Sequence, residues 1–221
     1  MNADKTTTEE VYVAAHFRRR YERGCAVLEL VSADHTNKLG SASLTELLEY
    51  VRKLHDEAER NHIKALIITG NDKFFSAGAD LKEIAQLNGP EAFEFSRTGQ
   101  RLMNTIDSFP VPAIAAIHGY CMGGGMDLAL ACDLRIAAPS AVFGHRGASL
   151  GIMTGWGGTQ RLPRLIGKPR ALQMFLLAEM IEAEEALRIA LVDQIVEDPI
   201  VGALDFSRVI NESRRSRTGR E

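Results

Sequence analysis

The sequence has few cysteines, no long apolar run and no strong excess of charge of either sign. Its three cysteines, Cys25, Cys121 and Cys132, are too few and too irregularly spaced for a disulfide framework or a CxxC metal site. We therefore expect reduced thiols in a reducing compartment. No apolar run approaches the ~20 residues that span a bilayer, and the first ten residues, MNADKTTTEE, lack the apolar stretch of a signal peptide. We expect a cytoplasmic protein without a membrane partner.

The charge balance and the glycine pattern argue against two further classes. With 26 basic and 29 acidic residues the formal net charge is −3, which gives no indication of a nucleic-acid-binding surface. Gly167-Lys168 is followed by Pro169, so the P-loop pattern is absent, and the glycines at 123–125 lack the third glycine of a GxGxxG fingerprint. The 221 residues, 45% hydrophobic and 25% charged, have the composition of a folded globular protein.

Short apolar segments typical of strands alternate along the chain with amphipathic segments typical of helices. Strands are predicted from short apolar segments at 25–31, 63–70, 113–119 and 134–144. Helices are predicted mainly from amphipathic stretches at 41–60, 91–109, 157–179 and 182–196. The pairs Ser43 with Glu46 and Asp80 with Glu83 have the spacing of capping boxes at helix starts. Strands that alternate with helices predict an α/β fold.

Three consecutive glycines, Gly123 to Gly125, separate a predicted strand from a predicted helix. A second strand–turn–helix corner contains Gly78 and Ala79. The first backbone N–H groups of a helix have no intrahelical acceptor, and glycine lets a ligand approach them closely. Two such corners can together hold one carbonyl oxygen, as an oxyanion hole does for a thioester or an ester. The alternative is that the glycines serve only tight packing.

The order and spacing of three segments resemble the enoyl-CoA hydratase/isomerase (crotonase) superfamily. The segments are FFSAGADLKEI (74–84), PVPAIAAIHGYCMGGGMDLALACDLRIAAPSAVFG (110–144) and GGTQRLPRLIG (157–167). The similarity extends from about Gly24 to about Val196. It implies a spiral of ββα units assembled as a homotrimer or homohexamer. It also implies an acyl-CoA thioester of fatty acid metabolism as the partner, with coenzyme A as part of the substrate and no metal or other cofactor.

The same resemblance implies a set of site residues. The backbone N–H groups of Ala79 and Gly124 match the family's oxyanion hole. The matched CoA-thioester-binding positions are Ala77, Ala79, Asp80, Leu81, Lys82 and Gly124. Hydratases of this family use two glutamates to activate water. Asp127 stands at the first of these positions and Gly147 at the second, with His145 nearby as a candidate substitute.

The resemblance is less specific for the reaction than for the family. The leading hypothesis is an enoyl-CoA hydratase or isomerase in which Asp127 is the principal acid/base and His145 the second. Because Gly147 has no proton to exchange, we expect weak hydration. The alternatives are a crotonase-type decarboxylase or thioester hydrolase, and a catalytically silent acyl-CoA-binding paralogue. A Cys–His nucleophile made of Cys121 and His118 lacks an orienting third residue.

The sequence predicts a boundary near residue 198. We expect residues 1–198 to form a crotonase-like acyl-CoA-binding core and 199–221 to form a short helix with a basic, disordered tail from 213 onward. Family members usually continue through several helices, so the resemblance implies a shortened C-terminal helical region over the acyl pocket. The turn at Asn37-Lys38-Leu39 resembles the family's Asn-Ala-Leu turn, and His35 and Lys38 are candidates for contacts with CoA phosphates.

Overall fold

A seven-stranded sheet forms the centre of the computed structural model, which describes residues 11–60 and 62–218. In spatial order its strands are β1 (Tyr12–Val13), β2 (Phe17–Glu22), β3 (Cys25–Leu30), β5 (Leu66–Thr69), β8 (Ala113–Ile117), β10 (Leu134–Ala137) and β13 (Gln194–Ile195). Strands β1 to β3 pair antiparallel, and the pairs from β3 to β13 are parallel. Strands β5 and β8 are buried along their whole length, as their apolar sequences predict.

A smaller sheet lies beside the large one. In spatial order it contains β12 (Met180–Glu182), β11 (Val142–Gly144), β9 (Tyr120–Met122) and β6 (Phe74–Ser76). A two-stranded pair is formed by β4 (Lys38–Leu39) and β7 (Gly78–Ala79). Along the chain β5 leads to β6, β8 to β9 and β10 to β11, so each turn contributes one strand to each sheet before a helix follows. This repeat confirms the predicted spiral of ββα units.

Helices cover both faces of the large sheet. In chain order they are α1 (Ser41–Glu59), α2 (Leu81–Ile84), α3 (Gly89–Asp107), α4 (Gly124–Leu130), a 3-10 helix (Arg146–Leu150), α5 (Gly158–Ile166), α6 (Lys168–Leu177), α7 (Ala183–Arg188) and α8 (Pro199–Thr218). On one face, Val27, Ile67 and Ile114 pack against Ala203 and Leu204 of α8. Within the described ranges, no helix combines the length and apolarity needed to cross a bilayer.

Helix α8 begins next to the boundary predicted at residue 198, and it packs on the sheet of the core. The disordered tail predicted from residue 213 is wrong as far as Thr218, because α8 continues to that residue. Residues 219–221 lie outside the described part of the chain. The stretch predicted as one helix at 157–179 is divided into α5 and α6 at Gly167, whose φ of 82° is one that helices do not contain.

The capping predictions were wrong in detail, because tertiary contacts take the side chains that local spacing assigned to helix ends. Helix α1 is capped by Gly40, whose N–H donates to the Ser43 hydroxyl at 2.9 Å. Glu46 instead accepts from the backbone N–H of His16 at 3.0 Å. Asp80 does cap α2 by accepting from the Lys82 N–H at 2.9 Å, while Glu83 accepts from the N–H of Ser41 at 3.1 Å.

Candidate active site

A cavity of about 700 Å³ lies beside the first turn of α4. Its volume is in the usual range for small-molecule sites. Most of the side chains that line it are apolar, among them Leu81, Ile84, Phe95, Met122, Trp156 and Phe175. The polar side chains on its wall are Ser96, His145, Arg146, Ser149 and Thr154. No Asp or Glu is among the described residues that line it.

The two glycine corners predicted from the sequence meet on this wall. Gly78 has φ 93°, and a Cβ there would lie 2.5 Å from the Met122 carbonyl oxygen and 3.0 Å from the Gly124 nitrogen. Only glycine allows this approach and this backbone conformation without strain. Ala79, which follows Gly78, and Gly124, which begins α4, both line the cavity. The first N–H groups of α4 have no acceptor within their own helix.

Asp127 lies behind the cavity wall rather than on it. Its side chain is fully buried, and the cavity-lining residues include its neighbours Thr154 and His145 but not Asp127 itself. The Thr154 hydroxyl donates a hydrogen bond to Oδ2 of Asp127. Oδ1 of Asp127 lies 3.4 Å from Nε2 of His145, and neither of these two atoms has a hydrogen-bond partner within the described residues. Direct contact between Asp127 and a ligand is therefore blocked in this arrangement.

Burial shifts the pKa values of this pair in opposite directions. It raises the pKa of Asp127 to about 7, although the Thr154 hydroxyl and the nearby Arg161 guanidinium favour the carboxylate. It lowers the pKa of His145 to about 4. Both shifts have the same cause, since a charged form loses its hydration in the interior. Between these two pKa values the carboxyl group and the imidazole are both uncharged, which is unusual for neighbouring acid and base side chains.

Gly158 and Gly147 determine how much room there is near Asp127 and His145. A Cβ on Gly158 would lie 2.0 Å from Oδ1 of Asp127 and 3.1 Å from Nε2 of His145, so only glycine leaves room for the two side chains. Gly147 lines the cavity, and a Cβ there would lie 2.6 Å from the Ile152 carbonyl oxygen. A side chain at 147 therefore requires the backbone near residue 152 to move. This loop closes the position at which the family resemblance implies a second glutamate.

Trp156 and Thr154 are site residues that sequence reasoning missed. Trp156 is 3% exposed, and its ring centroid lies 5.2 Å from that of Phe95. A Cβ on Gly124 would lie 2.1 Å from Cζ3 of Trp156, and one on Gly99 would lie 2.3 Å from its Cδ1. The indole thus packs directly against two backbone positions that must be glycine. No spacing rule identifies this contact, because it joins α3, α4 and a loop.

The family model described as enoyl-CoA hydratase/isomerase matches residues 20–205. The chain belongs to this family. Over 177 residues it is 42% identical to the crotonyl-CoA hydratase of Syntrophomonas wolfei, covering 80% of this chain and 67% of that protein. It is also 42% identical over 180 residues to a probable enoyl-CoA hydratase of Bacillus subtilis, with the same two coverages.

Solved structures of other proteins share this fold. The enoyl-CoA hydratase of Bacillus anthracis matches with a TM-score of 0.80 and 35% identity over 93% of this chain and 77% of its own. DspI of Pseudomonas aeruginosa matches with a TM-score of 0.81 and 34% identity over 96% of this chain and 83% of its own. The crotonase-type fold predicted from the sequence is therefore confirmed.

The predicted CoA-binding positions of this family member divide into two groups. Ala77, Ala79, Leu81 and Gly124 line the cavity. Asp80 and Lys82 do not, because Asp80 caps α2 and Lys82 is exposed. Lys38 has its ammonium 2.7 Å from Oδ2 of Asp34 and 3.8 Å from Oδ2 of Asp80, so its charge is already paired.

Burial also bears on the Cys–His alternative. Cys121 is fully buried, and this raises the pKa of its thiol well above the usual value. A thiolate is the nucleophilic form of cysteine. The structure therefore gives no support to a Cys121 nucleophile.

Proposed function

We propose that this protein processes an acyl-CoA thioester by stabilising its enolate between the backbone N–H groups of Ala79 and Gly124. The observation that carries the proposal is the meeting of two distant glycine corners on one cavity wall, with Gly78 packed against the Gly124 nitrogen. A donor pair of this kind stabilises the negative charge that develops on a thioester oxygen. The apolar remainder of the wall suits an acyl chain.

The acid–base unit of this proposal contains His145 and Asp127. His145 lines the cavity and Asp127 lies directly behind it, with Oδ1 of Asp127 3.4 Å from Nε2 of His145. Hydration needs one group to activate water and one to protonate the α carbon. With Gly147 at the second glutamate position and no carboxylate among the described residues of the wall, we expect hydration to be slow. Turnover of crotonyl-CoA at about 10² per second, above the ~10 per second typical of enzymes, would contradict this expectation.

Isomerisation is a second candidate reaction, and it is favoured by the same lack of a carboxylate among the described residues of the wall. Isomerisation moves a proton between two substrate carbons and needs no activated water, so it uses the donor pair and one acid–base unit only. Decarboxylation, likewise, passes through a thioester enolate. None of these reactions requires a redox cofactor, because the electrons stay within the thioester. A cytoplasmic location is part of the proposal, and the three buried, free cysteines agree with a reducing compartment.

The test of the donor pair compares two ligands that differ in a single oxygen. Butyryl-CoA carries the thioester carbonyl, whereas its thioether analogue S-butyl-CoA lacks it. We expect calorimetry to show tighter binding of the thioester, because only the carbonyl oxygen can accept from Ala79 and Gly124. Equal affinity for both compounds would contradict the assignment. Exchange of the α protons of bound butyryl-CoA with D₂O then separates an active enzyme from a silent acyl-CoA-binding paralogue.

Self-association completes the proposal. Three leucines of α6 are largely exposed in the single chain, with Leu172 at 49%, Leu176 at 61% and Leu177 at 68%. Met180 on the neighbouring strand β12 is 48% exposed. A cluster of exposed apolar side chains on one segment is typical of a surface that another subunit covers. We propose that this segment lies in the interface of a homotrimer or homohexamer.

A further inference from the structure

Asp127 has no route of its own to the cavity. The carboxyl group is fully buried and does not reach the wall. A proton that moves between Asp127 and a ligand must therefore pass through a neighbouring side chain that touches both. The side chains of Thr154 and His145 both contact the Asp127 carboxyl group and line the cavity.

Thr154 has the chemistry of a relay. Its hydroxyl donates to Oδ2 of Asp127, while the residue itself is partly exposed and lines the cavity. A hydroxyl has one donor and two acceptor sites, so it can accept a proton from one side as it gives its own to the other. The reverse transfer uses the same two contacts, so the residue can carry a proton in either direction.

His145 contacts the same carboxyl group at its other oxygen. Nε2 of His145 and Oδ1 of Asp127 face each other at 3.4 Å, and neither atom has a hydrogen-bond partner in the part of the chain that the structure describes. A protonated carboxyl can donate to an imidazole nitrogen, and a carboxylate can accept from an imidazole N–H. His145 is thus placed to hold Asp127 in position in either protonation state.

We propose that Thr154 relays protons between Asp127 and the α carbon of the bound thioester. The proposal rests on the acyl-CoA function proposed above. The α C–H bond breaks, its electron pair forms the double bond between the α carbon and the carbonyl carbon, and the carbonyl π pair moves to the thioester oxygen. The released proton bonds to the Thr154 oxygen as the hydroxyl proton of Thr154 passes to Oδ2 of Asp127. The reverse transfer at the α or the γ carbon completes exchange or isomerisation, and no water is consumed.

Exchange of the α protons of butyryl-CoA in D₂O tests the relay, since this saturated thioester cannot be hydrated. Thr154→Val keeps the shape of the side chain and removes the hydroxyl. We expect the exchange rate at saturation to fall by about 10²–10⁴-fold, with the Kd for butyryl-CoA unchanged. Thr154→Ser retains a hydroxyl and should keep most of the rate. The control Thr105→Val makes the same change on α3, where the hydroxyl bonds only the Arg101 carbonyl oxygen.

A second readout does not depend on activity. We expect ¹³Cγ NMR of labelled aspartate, assigned with Asp127→Asn, to show a higher pKa for Asp127 in Thr154→Val than in the wild type. The reason is that the Thr154 hydroxyl favours the carboxylate. An unchanged pKa overturns the Thr154–Asp127 contact and with it the relay.

The outcomes separate the relay from the proposed function. If Thr154→Val exchanges α protons as fast as the wild type, the relay alone is overturned. The same follows if Thr154→Ser loses as much of the exchange rate as Thr154→Val does. A wild-type protein that binds butyryl-CoA without any exchange overturns the proposed function and the relay together. Loss in Thr154→Val with retention in Thr154→Ser and Thr105→Val supports both.

Discussion

Oδ1 of Asp127 lies 3.4 Å from Nε2 of His145, and the two side chains are 0% and 4% exposed. Burial raises the pKa of the first to about 7 and lowers that of the second to about 4, so the uncharged forms of both are favoured. We propose that the pair takes the place of the two-glutamate arrangement that the family resemblance implies for hydratases. A pKa of about 7 lets Asp127 take up a proton as the carboxylate and release it again near neutral pH.

The pH dependence of stability should reveal both groups. The pKa of Asp127 is about 7 in the folded state against an ordinary value of 3.8, so the free energy of unfolding falls as pH rises between these values. The pKa of His145 is about 4 against 6.5, so its contribution to stability increases with pH in that window. Each slope is about 1.4 kcal/mol per pH unit, and the two nearly cancel from pH 4 to 6.5.

Replacing either Asp127 or His145 should reveal how the other group makes the free energy of unfolding depend on pH. We expect the free energy of unfolding of Asp127→Asn to rise with pH between about 4 and 6.5, relative to the wild type. That of His145→Gln should fall with pH up to about 7. Urea unfolding at several pH values measures both. Curves parallel to the wild type in either variant contradict the assigned pKa shift of the deleted group.

Gly158→Ala should damage the pair directly. The new Cβ would lie 2.0 Å from Oδ1 of Asp127, so the carboxyl group or the start of α5 must move. We expect a loss of about 1–3 kcal/mol of stability, as for overpacked cores, and a large loss of α-proton exchange. Gly89→Ala is the matched control, since nothing lies within 4 Å of its added Cβ. Full activity in Gly158→Ala would show that the Asp127–His145 geometry is dispensable.

Gly124 and Gly99 both contact the indole of Trp156. Comparing their alanine variants therefore separates the loss of a proposed N–H donor from a change in packing. Gly124→Ala and Gly99→Ala would place their methyl groups 2.1 Å and 2.3 Å from atoms of Trp156. Both should lower the melting temperature similarly. Only Gly124→Ala also shifts a proposed N–H donor, so we expect it to reduce turnover by about 10²–10³-fold. Equal losses of turnover in the two variants would assign the effect to Trp156 instead.

The exposed leucines of α6 should control assembly. Sedimentation velocity of the wild type is expected to show a trimer or hexamer at micromolar concentration. The double change Leu176→Lys with Leu177→Lys places two charges where 61% and 68% of each side chain is exposed, and should yield monomers. Val201→Lys, at a 42% exposed position on α8, serves as the control. A monomeric wild type rules out the proposed interface.

Local patterns in the sequence were sufficient for the strands at the centre of the fold. Strands β3, β5 and β8 lie within the segments predicted from apolar runs, because strands at the centre of a covered sheet are mostly apolar. The two glycine corners were also predictable, since glycine between a strand and a helix indicates that a ligand or another segment lies close to the backbone there. Cap assignments failed where Glu46 and Glu83 bond to other segments instead.

The sequence by itself determined the family, the alternation of the central strands with helices, and the two corners that meet at Gly78 and Gly124. The helix predicted at 182–196 ends at Arg188, and strand β13 (Gln194–Ile195) lies within that range. Only the tertiary structure placed Asp127 behind the wall and Thr154 and Trp156 on it. The burial of Asp127 and the positions of Thr154 and Trp156 on the wall depend on packing between α4, α5 and the loop before α5. No periodicity within one segment of the sequence encodes its distance to another segment. The same packing decides the pKa of Asp127, because burial by neighbours distant in sequence removes water from the carboxyl group.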